Sequence, residues 1–291
     1  MVLELAAPER SRDVPSMRPT LPMPMELPRE IEAMFAAAEE EPVLLHGTRL
    51  DHVDTFEGMP RPIHESLAAQ AQIVELGADE EVSGFGAALL LSGSAILCAT
   101  IVDAAAHWAR PAELLVARGT LKEGVAVRVV GAGDGAIVAV WPRAVLEQAL
   151  AGQASCESRA RARGDRLQAL AGATMGPFGE IDDEHRRTLA AELSVRCLKP
   201  GEIWLEDGAP APAIALVGAG EVELYGPISE ETSETVEPGA LVFPDLAGIG
   251  GEASSSARAG AGGALLLVAE GDAARRMSAQ VPDLGDRLRG A

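Results

Sequence analysis

Residues 194–225 read SVRCLKPGEIWLEDGAPAPAIALVGAGEVELY, and their punctuation decides the fold. Short apolar runs are cut at Pro200-Gly201 and Asp207-Gly208, and Pro238-Gly239 follows downstream. Such pairs turn a chain because Pro presets φ and Gly accepts φ > 0. The runs between them predict strands over 194–198, 202–205, 213–217 and 221–224, with another at 265–269. Strands of four to seven residues at regular spacing favour a β-barrel or jelly roll.

Working outward, the pattern occurs twice. FEGMPRPIHESLAA from Phe56 matches FGEIDDEHRRTLAA from Phe178 at an offset of 122 residues, and Leu76 stays in that register with Leu198. Leu91-Ser-Gly93-Ser-Ala aligns with Gly218-Ala-Gly220-Glu-Val at 127, and Val127-Arg128 with Ala257-Arg258 at 130. Offsets that only grow are what loop insertions in a duplicated domain produce. Few chain breakers interrupt residues 143–173, which predict the connecting helices. The expected fold is mainly β with flanking helices: two tandem β-jelly-roll (double-stranded β-helix) domains, 50–150 and 175–291, joined by a helix over 151–174.

The rest of the chain reads differently. Residues 1–27 are rich in Pro and Met and predict a tail without regular structure. Residues 28–49 predict an acidic amphipathic helix and linker. Ile31, Met34 and Phe35 form its apolar stripe, which would dock on the body or on a partner.

The 291 residues carry 24 Lys+Arg against 44 Asp+Glu, a net charge of −20, which would repel a phosphate backbone and argues against nucleic-acid binding. Aromatic residues are 3% of the chain, so the cores must be built from Leu, Val, Ile and Ala. Three cysteines far apart in sequence make no disulfide scaffold, and the first residues lack the uninterrupted apolar run of a signal peptide. These features predict a cytoplasmic, soluble protein with no membrane segment.

The order strand, Pro-Gly-Glu, strand, Asp-Gly, strand, Gly-Glu-Val, acidic loop and Glu237-Pro238-Gly239 resembles the cyclic-nucleotide-binding domain family. The likeness covers residues 178–286 better than 56–150. Tandem copies look like a kinase regulatory subunit. The bacterial activators of that family add a helix-turn-helix, for which about ten residues after Gln280 leave no room. The resemblance implies a ligand pocket with a Phe-Gly-Glu turn opening a short helix, and an Arg some nine residues on. There the Glu accepts from the ribose 2′-hydroxyl, the helix amides face the cyclic phosphate, and the Arg pairs with its charge.

In the second copy the matching turn is Phe243-Pro244-Asp245 and the Arg position falls at Ala253. Pro244 lacks an amide donor, the cation is gone, and Asp245 and Glu252 would repel an anion, so this pocket reads as dead. In the first copy Pro111-Ala112-Glu113 is matched to the turn and Lys122 to the Arg. A Lys replaces the Arg as a point charge but not as a bidentate fork, so this pocket reads as impaired.

Other signals carry less chemistry. Val130-Gly-Ala-Gly-Asp-Gly135 leads into a strand rather than a helix and reads as a hairpin turn, not a dinucleotide fingerprint. His46, His52 and His64 with Asp51 and Asp54 fit no metal template and read as surface residues. No metal site and no catalytic constellation is expected. Cys197, between Arg196 and Lys199, reads as a small core residue. Arg159, Arg161, Arg163 and Arg166 form a basic cluster on the connecting helix. The leading functional reading is a non-enzymatic regulatory or scaffolding protein with degenerate domains. It would need no cofactor and act on another, unidentified protein, with a homo-oligomer left open. The alternative is a sensor of cyclic AMP or cyclic GMP using the first domain. The third is a β-barrel small-molecule or metal enzyme.

Overall fold

The apolar run that begins at Ala87 does not stop at its glycine. In the computed structural model, which describes residues 41–226 and 232–290, it continues through Gly93 to Ala99 as one strand of 13 residues. The elements begin with a two-residue hairpin, β1 (Leu44–Leu45) and β2 (Thr48–Arg49), followed by α1 (Arg61–Gln70), β3 (Gln72–Leu76) and β4 (Glu81–Ser83). Next come β5 (Ala87–Ala99), β6 (Ala105–Ala109), β7 (Leu114–Val116) and β8 (Val127–Trp141). Two helices follow, α2 (Arg143–Leu150) and α3 (Ala154–Ala173), then α4 (Asp183–Glu192). The last strands are β9 (Ser194–Leu198), β10 (Ile203–Leu205), β11 (Pro210–Ala211), β12 (Ile214–Tyr225), β13 (Thr232–Val236), β14 (Gly251–Glu252) and β15 (Ser256–Ala269). Helices α5 (Gly271–Gln280) and α6 (Leu284–Arg289) close the described chain. The architecture is thus mainly β sheet with several helices. The tail of residues 1–27 and the stripe of Ile31, Met34 and Phe35 lie outside the described residues.

The strands are longer than turn residues alone predict. Segments 213–217 and 221–224 merge into β12, and the glycine run 130–135 lies inside β8 rather than at a hairpin turn. The reason is local. Gly93 and Gly220 sit at φ +81° and +72° beside register shifts in their pairings, so each glycine absorbs a bulge and the strand bends without ending. The linker before residue 50 likewise holds a hairpin, turned by His46 and Gly47 at positive φ.

Pairing registers show how the two halves correspond. Antiparallel β3–β8–β5–β6 form one sheet with β4 and β7 attached, and β10–β15–β12–β13 form another with β9 attached. Helices α1 and α4 lie 122 residues apart over their whole length. Leu76 faces Ala136 as Leu198 faces Ala264, and Gly93 faces Ala136 as Gly220 faces Ala264. The final offset is corrected. Ile96 pairs with Val130 and its counterpart Glu223 with Arg258, which sets Arg258 against Val130, not Arg128. The offset at this pair is 128 rather than 130. A two-residue slip keeps every side chain on its own face of the sheet, so the apolar pattern matched in either register.

One apolar core joins the two sheets. Leu76, Ala88 and Leu90 of the first and Leu216, Leu265 and Leu267 of the second share it with Leu167, Ala169 and Leu170 of α3. Helix α3 fits because its contact face is small: a Cβ on Gly172 would overlap the carbonyl of Gly218 in β12, and one on Gly164 the carbonyl of Arg118. Phe56 and Phe178, matched in the sequence, are both buried. So are Leu67 and Leu189, which anchor α1 and α4.

Candidate functional site

Hydrogen bonds on either side of the turns decide which residues correspond to the expected ligand pocket. The amide of Ala112 donates to Leu90 O and that of Gly239 to Val217 O, both at 2.8 Å. Leu90 N donates to Glu113 O as Val217 N donates to Ala240 O. Pro111-Ala112-Glu113 is therefore the counterpart of Pro238-Gly239-Ala240. Ala112 adopts φ +64° where the second copy has Gly239 at φ +93°. Further along, Leu115 pairs with Ala88 as Val242 N donates to Ala215 O, which carries the register on to Val116 and Phe243, while Ala117 N donates to Gly86 O as Gly248 N donates to Ala213 O. Residues 244–247 have no counterpart in the first sheet.

This register corrects the placement of the first pocket. Glu113 is not the carboxylate of the ligand turn but belongs to the preceding Pro-Gly-type turn. No helix of any kind forms between residues 111 and 126. The stretch after Val116 is instead tied to α3. Asp165 accepts from the Thr120 amide at 2.5 Å and its hydroxyl at 2.7 Å, and Gln168 Nε2 donates to Ala117 O at 2.8 Å. Lys122 is exposed, its carbonyl accepting from Arg118 at 2.5 Å, and it does not meet Glu113 at a common site. Asp165 and Gln168 carry no motif, and sequence reasoning missed them.

In the second sheet the residues matched to that turn pack partly into the apolar cluster. Residues Pro244–Leu246 make a single 3-10 turn with Pro244 at its start. Phe243 is buried and stacks on Trp204 with ring centroids 6.3 Å apart, and Ala253 is buried in the same apolar cluster. Asp245 stays exposed. Arg258 is spoken for: it pairs with Glu223 at 2.7 Å and lies over the Tyr225 ring.

Glu113 has a different setting. It lines a cavity of about 790 Å³ bounded by the bend of β5, strand β6, the turn at 110–114, and helices α3 and α4. Its Oε1 accepts from His107 Nε2 at 2.9 Å and its Oε2 from the Arg110 amide at 3.0 Å, with Arg163 Nη1 at 3.5 Å. Burial pushes its pKa up, but His107, the Arg110 amide and the Arg163 charge outweigh that and hold the carboxyl below its ordinary range. Arg163 also donates to Leu114 O and pairs with Asp54 at 3.3 Å. The α3 arginines thus diverge. Arg159 reaches Glu57 O, Arg161 pairs with Glu157, and only Arg163 and Arg166 face the cavity.

His64 is buried and donates to Phe56 O at 3.1 Å, so it is a packing residue rather than a surface one. Cys197 is exposed, contrary to its reading as core. Partial burial, with nearby Asp165, raises its thiol pKa. Among the described residues no three His, Cys, Asp or Glu are grouped to hold a metal ion, and no helix is long and apolar enough to cross a membrane.

No family model and no curated protein matches the chain. Similar solved structures include the regulatory domain of Toxoplasma gondii PKA with cAMP, at 13% identity, covering 83% of this chain and 92% of that one, with a TM-score of 0.36. The regulatory subunit of a cAMP-independent protein kinase A from Trypanosoma cruzi bound to guanosine shares 16% identity over 82% of this chain and 84% of that one, TM-score 0.35. The N-terminal domain of a Streptomyces coelicolor A3(2) transcriptional regulator shares 22% over 40% of this chain and 86% of that one, TM-score 0.36. At such identities and scores, the chemistry of this chain's site has to come from its own side chains.

Proposed function

We propose that the protein is a non-enzymatic regulatory or scaffolding protein, built on two tandem jelly-roll domains that are degenerate cyclic-nucleotide-binding-like modules, and that it works through contacts with another protein. The observation that carries this reading is the fate of the ligand turn. Residues 244–247 have no counterpart in the first sheet, and the second sheet's turn buries Phe243 against Trp204. A cyclic phosphate held in the way the resemblance implies needs a row of free helix amides and a guanidinium. Pro244 supplies no amide, Ala253 no cation, and Lys122 lies apart from Glu113.

Equilibrium titration of the full chain with fluorescent cyclic AMP and cyclic GMP tests the degenerate reading. No saturable binding is expected, and saturable binding to either would favour a second-messenger sensor instead. The protein-contact half places docking on Ile31, Met34 and Phe35. Changing all three to Ser is expected to abolish co-purification with the partner while leaving the melting temperature nearly unchanged. A large loss of stability would assign these residues to the protein's own core.

A further inference from the structure

The chain carries a net charge of −20, yet the cavity between the first sheet and helices α3 and α4 is lined by Arg110, Arg163, Arg166 and Arg187 against only Asp54 and Glu113. Both carboxylates are taken by Arg163. Among the described residues no carboxylate lies within salt-bridge distance of the other three guanidiniums. Arg166 is half-buried and donates only to the carbonyls of Leu193 and Ala190, at 3.0 and 2.8 Å. Those bonds engage two of its five N–H groups and leave its charge without a counter-ion, and burial lowers its pKa. Arg187 is exposed and lies over the Trp108 ring, 4.6 Å from its centroid. Arg110 reaches the same space from the turn. In a chain with almost twice as many acids as bases, three uncompensated cations around one hollow are a designed imbalance rather than an average surface.

We propose that this cavity is a binding site for a small organic polyanion, one that presents phosphate or carboxylate groups to Arg110, Arg166 and Arg187. The guanidinium fork matches either group through paired N–H donors. The volume suits a small molecule rather than a macromolecular surface. Trp108, Ile96 and Leu170 supply apolar walls, which favour a ligand with a carbon skeleton over a bare inorganic ion. Glu113 acts as a positioning residue, since it holds His107 and Arg163 at the cavity wall. The site is distinct from the turn at Phe243-Pro244-Asp245 and owes nothing to it.

The test is calorimetric titration of the full chain with citrate and with inorganic pyrophosphate, paired with thermal melts. At least one probe is expected to bind saturably and raise the melting temperature, citrate marking a carboxylate ligand and pyrophosphate a phosphate one. Arg110→Ala should leave the probe-free melting temperature unchanged, and Arg187→Ala should lower it only by the loss of its contact with the Trp108 ring, while each weakens binding about tenfold. Arg187→Lys keeps the charge and should recover part of the loss. Absence of binding by both probes overturns the proposal. So does binding with the same affinity in the Arg110→Ala/Arg187→Ala double variant.

Discussion

At the scale of single residues, Glu113 shows how a side chain of the expected type can serve another purpose. Its oxygens are engaged by His107, the Arg110 amide and Arg163, so the carboxylate is a local clamp. Because its folded pKa is depressed, the stability it contributes is fully present above the ordinary carboxylate range and is lost as pH falls through the folded value. Glu113→Gln is expected to cost about 1–3 kcal/mol near neutral pH. Urea melts of the two proteins should converge in acid, and a pH-independent difference would mean that the charge is not what matters. Cys98 is the opposite case: burial pushes its thiol up to about 11, which makes it an inert packing atom.

At the scale of elements, the decisive contacts are between backbones. Helix α3 crosses β12 where Gly172 meets Gly218, and no side chain fits between them. Helix propensity alone would make Gly172→Ala stabilising by about 1 kcal/mol. The overlap with the Gly218 carbonyl should outweigh that, since forced separation of a packed pair costs about 1–3 kcal/mol. The expected net outcome is destabilisation by up to about 2 kcal/mol, read from denaturant midpoints. Unchanged or increased stability would place the crossing elsewhere. Strand lengths follow the same logic, since glycines at Gly93 and Gly220 look like chain breaks in sequence but are bulges inside β5 and β12.

At the scale of the whole molecule, the described residues from 42 onward form one packed unit. Both sheets place residues in the same core as α3, so neither can lose its packing without exposing the other's apolar face. Calorimetry is therefore expected to show one cooperative transition for this body. Two resolved transitions, with Gly172→Ala shifting only one of them, would show that each sheet holds its own core. The charge distribution belongs to this scale as well. An acidic surface with arginines gathered around one cavity directs anions to that cavity and away from the rest of the molecule.

By itself the sequence determined the β-rich class, and it matched Leu76 with Leu198 and Gly93 with Gly220, pairs that take like registers in the two sheets. These follow from apolar periodicity and turn chemistry, which are local properties of neighbouring residues. Strand Ser194–Leu198 and the helices between the sheets were legible for the same reason. Only the tertiary structure decided that Pro111-Ala112-Glu113 corresponds to Pro238-Gly239-Ala240. A turn's equivalence lies in its hydrogen bonds to a strand far away in sequence, which no local pattern reports. Likewise, Arg163 and Arg166 sit one turn apart in a basic run that reads as a single cluster. That they face a cavity together with Arg110 and Arg187 follows from the packing of α3 and α4 against β6, which no stretch of sequence encodes alone.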